Sequence, residues 1–120
     1  MSVKHILSAV PVLPALDLEQ TLDYYEGKLG FTILSEYPGY ALLERDGAEL
    51  HFFECEDKYL ADNSGCYLRV ENIEALHEEL ANADITTLHP LEVKPWGMKE
   101  FSLIDVNGNL LRFGQPAEEE

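Results

Sequence analysis

Basic residues are scarce in this chain: 8 Lys and Arg stand against 23 Asp and Glu, for a formal net charge of −15 at pH 7. Such a surface repels phosphate backbones and anionic lipid heads, which argues against nucleic acid and membrane-surface partners and favours a cationic small molecule. The plainer reading is that the excess acid serves solubility. Long apolar runs are missing too. Nothing approaches the roughly 20 apolar residues of a membrane span, and Lys4-His5 followed by Ile6 to Val10 lacks the long apolar segment of a secretory signal. Cysteine is limited to Cys55 and Cys66, without metal-type spacing, so free thiols in a reducing, cytoplasmic setting are expected. Phosphate-binding glycine loops, dinucleotide fingerprints and nucleophile motifs are absent. Cys55 has no activating base beside it and reads as structural. The four histidines, at 5, 51, 77 and 89, show no tight ligand spacing, and His77 reads as a surface or boundary residue.

What is present is a globular pattern. The 120 residues, 46% of them apolar, suffice for one domain with a hydrophobic core. The stretch from Pro95 to Phe113 reads as an aromatic-led loop followed by a hairpin, because the Asn107-Gly108 step suits the positive φ of tight turns. Upstream, residues 6 to 13 form a strand candidate interrupted by Pro11, which cannot donate to a sheet ladder. Asp17 stands as a helix N-cap, Leu18, Leu22, Tyr25 and Leu29 share a helical face, and Gly30 ends the helix. Strands over 31–37, 40–45 and 48–54 follow, punctuated by Pro38-Gly39 and Asp46-Gly47. Residues 56–64 read as a polar linker.

The second half repeats the first. A strand over 66–71, a cap at Asn72 and apolar spacing at Ile73, Leu76, Leu80 and Ala83 superpose on the first half after a shift of about 55 residues, Asp17 falling on Asn72 and Tyr25 on Leu80. A strand near 85–88, a loop from His89 to Trp96 and the hairpin complete a second unit. The expected fold is α+β: two βαβββ modules, about 1–57 and 64–115, in a single domain 1–120 with an acidic tail at 117–120. Each curved mixed sheet carries a helix on one face, and the other faces form a cup for a ligand or a partner chain.

Several segments carry a resemblance. Ser8 to Leu13, the run DLEQTLDYYEGKLGF at 17–31, the Pro95-Trp96-Gly97 approach to Lys99-Glu100-Phe101, and the Asp105-Val106-Asn107-Gly108-Asn109 turn together resemble the bleomycin resistance proteins of the vicinal oxygen chelate superfamily, to which glyoxalase I also belongs. The resemblance spans about Ser8 to Phe113. It implies a homodimer with a swapped N-terminal strand, Pro11 lying where the swap-associated proline falls, and two drug sites built from both subunits. It also allows the metal test that divides the superfamily. The four ligand-equivalent positions fall on Val10, Gly65, Arg112 and either Glu49 or His51, of which only the last could bind a metal. No metal and no cofactor are therefore expected. The implied function is non-catalytic sequestration of a bleomycin-like cationic glycopeptide. The alternatives are a metal-dependent glyoxalase- or dioxygenase-like enzyme and a binder of another small molecule.

Such a ligand calls for aromatic planes and carboxylates. Trp96, the only tryptophan, is the leading stacking candidate, with a structural lid as its other reading. Strand alternation places Glu49, His51 and Phe53 on the cup, with Glu100 and Ser102, Tyr67 and Arg69, and Arg112. Glu100 is favoured for the cation, with Glu49 behind it, and Arg112 and Arg69 are expected to pair with those glutamates. Tyr37 and Tyr40 are further aromatic walls, core packing being the other reading for Tyr40.

Overall fold

The computed structural model describes residues 3–117, so residues 118–120 of the expected acidic tail lie outside the described residues. The element order is β1 (Val12–Ala15), α1 (Leu18–Gly27), β2 (Thr32–Tyr37), β3 (Tyr40–Arg45), β4 (Ala48–Glu54), α2 (Lys58–Asp62), β5 (Gly65–Arg69), α3 (Ile73–Ala81), β6 (Glu92–Val93), β7 (Met98–Ile104) and β8 (Leu110–Pro116). Two four-stranded sheets result, ordered β1-β4-β3-β2 and β5-β8-β7-β6. In each the first strand runs parallel to the last, and the remaining pairs are antiparallel. The expected α+β repeat is present, and α1 and α3 begin 55 residues apart, at 18 and 73.

Helix α1 forms as its sequence dictates. The Asp17 carboxylate accepts from Gln20 N, and Leu18, Leu22, Tyr25 and Leu29 are buried on one face. Against them pack Leu50 and Phe52 of β4, and the same parity buries Phe101, Leu103, Leu111 and Phe113 in the second sheet. These residues join one hydrophobic cluster that crosses both modules. At the matching position of α3, Asn72 takes a left-handed φ of 52° and caps nothing. Gln115 Oε1 accepts from Ile73 N instead.

Three expectations need correction. The strand foreseen over 6–13 begins only at Val12. Pro11 has no donor, its carbonyl accepts from His51 N, and residues 3–11 form no helix or strand, with Ile6 and Leu7 each 84% exposed. The polar linker at 56–64 contains helix α2, capped by the Asp57 carboxylate on Leu60 N. Residues 85–88 are not a strand. There the Thr87 hydroxyl, rather than a backbone ladder, bonds both N and O of Ile104, and the short β6 lies inside the stretch foreseen as loop. The hairpin foreseen around Asn107-Gly108 is present: β7 and β8 pair antiparallel across 105–109, and Gly108 takes a positive φ of 114°.

The 105–109 turn fastens the modules together. The Asp105 carboxylate accepts from the backbone N–H groups of Asn107, Gly108 and Asn109 and, at 2.6 Å, from the Tyr25 hydroxyl of α1. Asn107 Oδ1 accepts from Leu16 N, and Asn109 Nδ2 donates to Pro14 O. The protein spans 48 × 48 × 25 Å with a radius of gyration of 15.2 Å, above the roughly 14 Å expected of a compact chain this long. The helices cover the inner faces of the sheets, and the outer faces stay open.

Candidate functional site

The open face of the second sheet gathers most of the expected residues around a buried acid. Glu100 on β7 faces away from the core yet is only 8% exposed. Its Oε2 accepts from Tyr67 Oη at 2.8 Å and from Trp96 Nε1 at 3.1 Å. Burial, together with the bond to Glu100 and that group's charge, pushes the Tyr67 hydroxyl above its ordinary 10.0. Gly114 makes the contact possible. It lies between Glu100 and Arg69 in the strand register, and a Cβ there would collide with the Tyr67 hydroxyl and approach Glu100 Cγ to 3.2 Å.

Trp96 sits on a tight loop in which Gly97, at φ 83°, returns its N–H to Lys94 O at 3.0 Å. The indole is 65% exposed, so it is not a lid on the core, and its one polar atom is held by Glu100. Ser102 and Arg112 are register partners, as are Tyr67 and Arg112. Glu100, Ser102 and Arg112 line a shallow pocket of about 220 Å³ with His89, Glu92 and Lys94. Those last three were not foreseen. His89 reaches the face because its N–H joins Ser102 O and its Nδ1 lies 3.0 Å from Ser102 Oγ, a register that no local motif announces. His77, foreseen at a boundary, packs edge-on to Phe101 with Nε2 2.9 Å from His89 O.

The remaining candidates lie on the open face of the first sheet. Tyr40 donates or accepts at His51 Nδ1 over 2.9 Å, packs edge-on to that ring, and so is not a core residue. His51 Nε2 lies 3.5 Å from Glu49 Oε2. Phe53 is the register partner of Tyr40, and Tyr37, paired with Tyr40 across β2 and β3, is 57% exposed. Among the described residues, no hydrogen bond, ion pair or ring contact links this set to the Glu100 set. The structure also corrects the expected arginine pairing: among the described residues neither Arg69 nor Arg112 bonds Glu49 or Glu100, two neutral donors reaching Glu100 Oε2 and Glu49 turning to His51.

The superfamily's metal does not fit these residues. Glu49 and His51 share a face, but Val10 offers no donor atom, Gly65 has no side chain and no room for one against the Leu110 carbonyl, and Arg112 carries only N–H donors. Cysteine chemistry is no better served. Burial, reinforced by the Asp105 charge, pushes the Cys66 thiol up to about 11, and Cys55 and Cys66 form no disulfide.

The model of the Glyoxalase/Bleomycin resistance protein/Dioxygenase superfamily matches residues 2–113. A bleomycin resistance protein of Klebsiella pneumoniae is 30% identical over 89% of this chain and 90% of its own length. Another, of Geobacillus stearothermophilus, is 28% identical over 92% of this chain and 97% of its own. The crystal structure of the bleomycin-binding protein of Streptomyces verticillus, complexed with copper(II)-bleomycin, superposes with a TM-score of 0.84 at 31% identity, covering 98% of this chain and all of that one. With the first βαβββ module, most of the second and the 105–109 turn inside the matched region, the chain belongs to the Glyoxalase/Bleomycin resistance protein/Dioxygenase superfamily and, within it, to the bleomycin resistance proteins.

Proposed function

We propose that the protein binds a bleomycin-like cationic glycopeptide antibiotic and sequesters it unaltered, conferring resistance. The observation that carries this reading is the exposed Trp96 indole tethered to the buried Glu100 carboxylate. A flat heteroaromatic group can stack on the indole, an arrangement contributing roughly 0.5 to 1.5 kcal/mol beyond burial, while a nearby positive group meets a carboxylate already shielded from water. The net charge of −15 steers such a ligand inward. A relative of known structure is complexed with copper(II)-bleomycin, which agrees with this reading. Calorimetric titration with bleomycin tests it: saturable heat with drug recovered unchanged in mass supports sequestration, and no binding at micromolar protein removes it.

In this reading the two modules, about 1–57 and 64–115, act as one domain, and the working unit is a cytoplasmic homodimer with exchanged N-terminal segments. The separation of the Tyr40–His51 face from the Trp96–Glu100 face supports the dimer, since a second copy can bring one set opposite the other. The exposed Ile6 and Leu7 support the exchange. A monomeric mass in light scattering at high protein concentration would contradict both. The metal-enzyme alternative requires ligands that Val10, Gly65 and Arg112 do not supply, and a stoichiometric divalent ion in the purified protein would revive it.

A further inference from the structure

Most of the basic side chains in this acid-rich protein have found a partner. Arg45 pairs with Glu79, Lys58 with Asp62, Lys94 with Glu92 and Lys99 with Glu74, and Lys28 donates to the Asp84 carbonyl. Among the described residues the exceptions are Lys4, in the segment before β1, and two arginines, Arg69 and Arg112. Among the described residues neither arginine makes an ion pair or a side-chain hydrogen bond, although carboxylates outnumber cations almost three to one, 23 to 8. Both belong to the open face of the second sheet, on adjacent strands. Arg112 is the register partner of Tyr67, and Arg69 follows Tyr67 by two residues on the same side of β5.

The neighbouring acid is occupied in a way that preserves this. Glu100 pairs with Gly114 on the adjoining strand, two residues from Arg112, so the two are diagonal neighbours on one face, about 7 to 8 Å apart at the backbone. It nonetheless takes its hydrogen bonds from two uncharged donors, Tyr67 and Trp96. The other charges in the pocket, Lys94 and Glu92, neutralise each other at 2.7 Å. The face therefore holds a carboxylate and a guanidinium side by side, each with its charge unspent on the other. A guanidinium's planar fork matches a carboxylate or phosphate oxygen pair.

We propose that this face selects a dipolar ligand, with a cationic aromatic group held at Trp96 and Glu100 and an oxyanion taken by Arg112 with Arg69 beside it. The proposal rests on the binding reading above and narrows its ligand class, since a purely cationic drug would leave Arg112 facing a like charge. An antibiotic carrying both an amine and a carboxylate, sulfate or phosphate, or a drug whose carbonyl-rich segment accepts from Arg112, meets both charges.

Trp96 fluorescence reports the test cleanly, because the chain contains no other tryptophan. Phenylalanine and phenylalaninamide serve as probes: both present a ring and an ammonium, and only the first carries a carboxylate. In mildly acidic buffer both amines are protonated. Phenylalanine should bind about tenfold tighter than the amide, a gain of the size a charge-assisted contact provides. Arg112→Gln should abolish the preference by weakening phenylalanine about tenfold, and Arg69→Gln should reduce it. Thermal melting should show both variants folded. Equal affinity in the wild type, a preference that survives loss of both arginines, or no saturable response to either probe overturns the proposal. Bleomycin calorimetry on the same wild-type sample separates the two readings. Bleomycin binding without the dipolar preference removes only this inference, and the preference without bleomycin binding removes only the drug.

Discussion

Trp96 and Tyr67 donate to the same oxygen of one carboxylate, Glu100 Oε2. The indole comes from a loop and the phenol from β5, so the acid is clamped by two elements that do not otherwise touch through polar groups. The arrangement holds an exposed aromatic ring in place without sinking it into the core. It also leaves the acid's charge available, because neither donor is a cation.

Removing the indole separates binding from stability. Trp96 is 65% exposed and contributes little to the hydrophobic cluster. Trp96→Ala should therefore weaken bleomycin binding by more than about tenfold, as expected for an aromatic anchor. Calorimetry gives the affinity, and the thermal midpoint should stay nearly unchanged. Equal affinity in the variant would relegate Trp96 to a structural role.

Glu100→Gln isolates the charge. Because both donors reach one oxygen, the glutamine carbonyl can occupy that place and keep both hydrogen bonds. The variant should fold normally and lose about tenfold in affinity for the cationic drug, with a shallower dependence on salt concentration. If affinity and salt dependence both match the wild type, the carboxylate does not recognise the cation.

Gly114→Ala attacks the same site from beneath. The added methyl group would collide with the Tyr67 hydroxyl, and the ring must move away from Glu100. Overpacking of this kind costs about 1 to 3 kcal/mol, and drug affinity should fall as the clamp opens. Tyr67→Phe supplies the comparison: it removes the hydrogen bond without the collision, so it should lower affinity with a smaller effect on melting.

Much of this was legible in the sequence wherever the signal is periodic. The Leu18, Leu22, Tyr25 and Leu29 face, the 55-residue repeat and the alternation of Glu49, His51 and Phe53 with Leu50 and Phe52 depend on local spacing alone, and the structure keeps all three. What spacing does not encode is which groups on one face choose each other. For Glu100 the expected arginine pair lost to Tyr67 and Trp96 because Gly114 leaves room for the phenol and the Gly97 turn directs the indole N–H at the carboxylate, and Glu49 turned to His51 instead. His89 entered the pocket through a backbone bond to Ser102, thirteen residues away. The 105–109 turn looked like a hairpin signal and is also the fastening between modules, a role visible only once Tyr25 and Asp105 are seen 2.6 Å apart.

That fastening predicts how the protein responds to alkali. Tyr25 is fully buried, and burial, the Asp105 charge and the hydrogen bond to Asp105 together hold its hydroxyl well above the ordinary 10.0. Tyr24 is pushed up to about 12 by burial and by Asp105, and Cys66 to about 11 from 9.0 for the same two reasons. In each case the folded state holds its proton more tightly than the unfolded chain. The unfolded state therefore binds fewer protons once pH passes the ordinary value, and stability must fall as pH rises. The stabilisation is fully present below pH 9.0, begins to decline through Cys66, and is lost more steeply above 10.0 as the tyrosines join. For fully buried Tyr25 alone the slope approaches about 1.4 kcal/mol per pH unit. Denaturant unfolding at stepped pH should show this decline in the wild type. Tyr25→Phe, less stable at neutral pH for want of the Asp105 bond, should show a shallower one. Parallel declines in the two proteins would mean that the bond between Tyr25 and Asp105 does not govern alkaline unfolding.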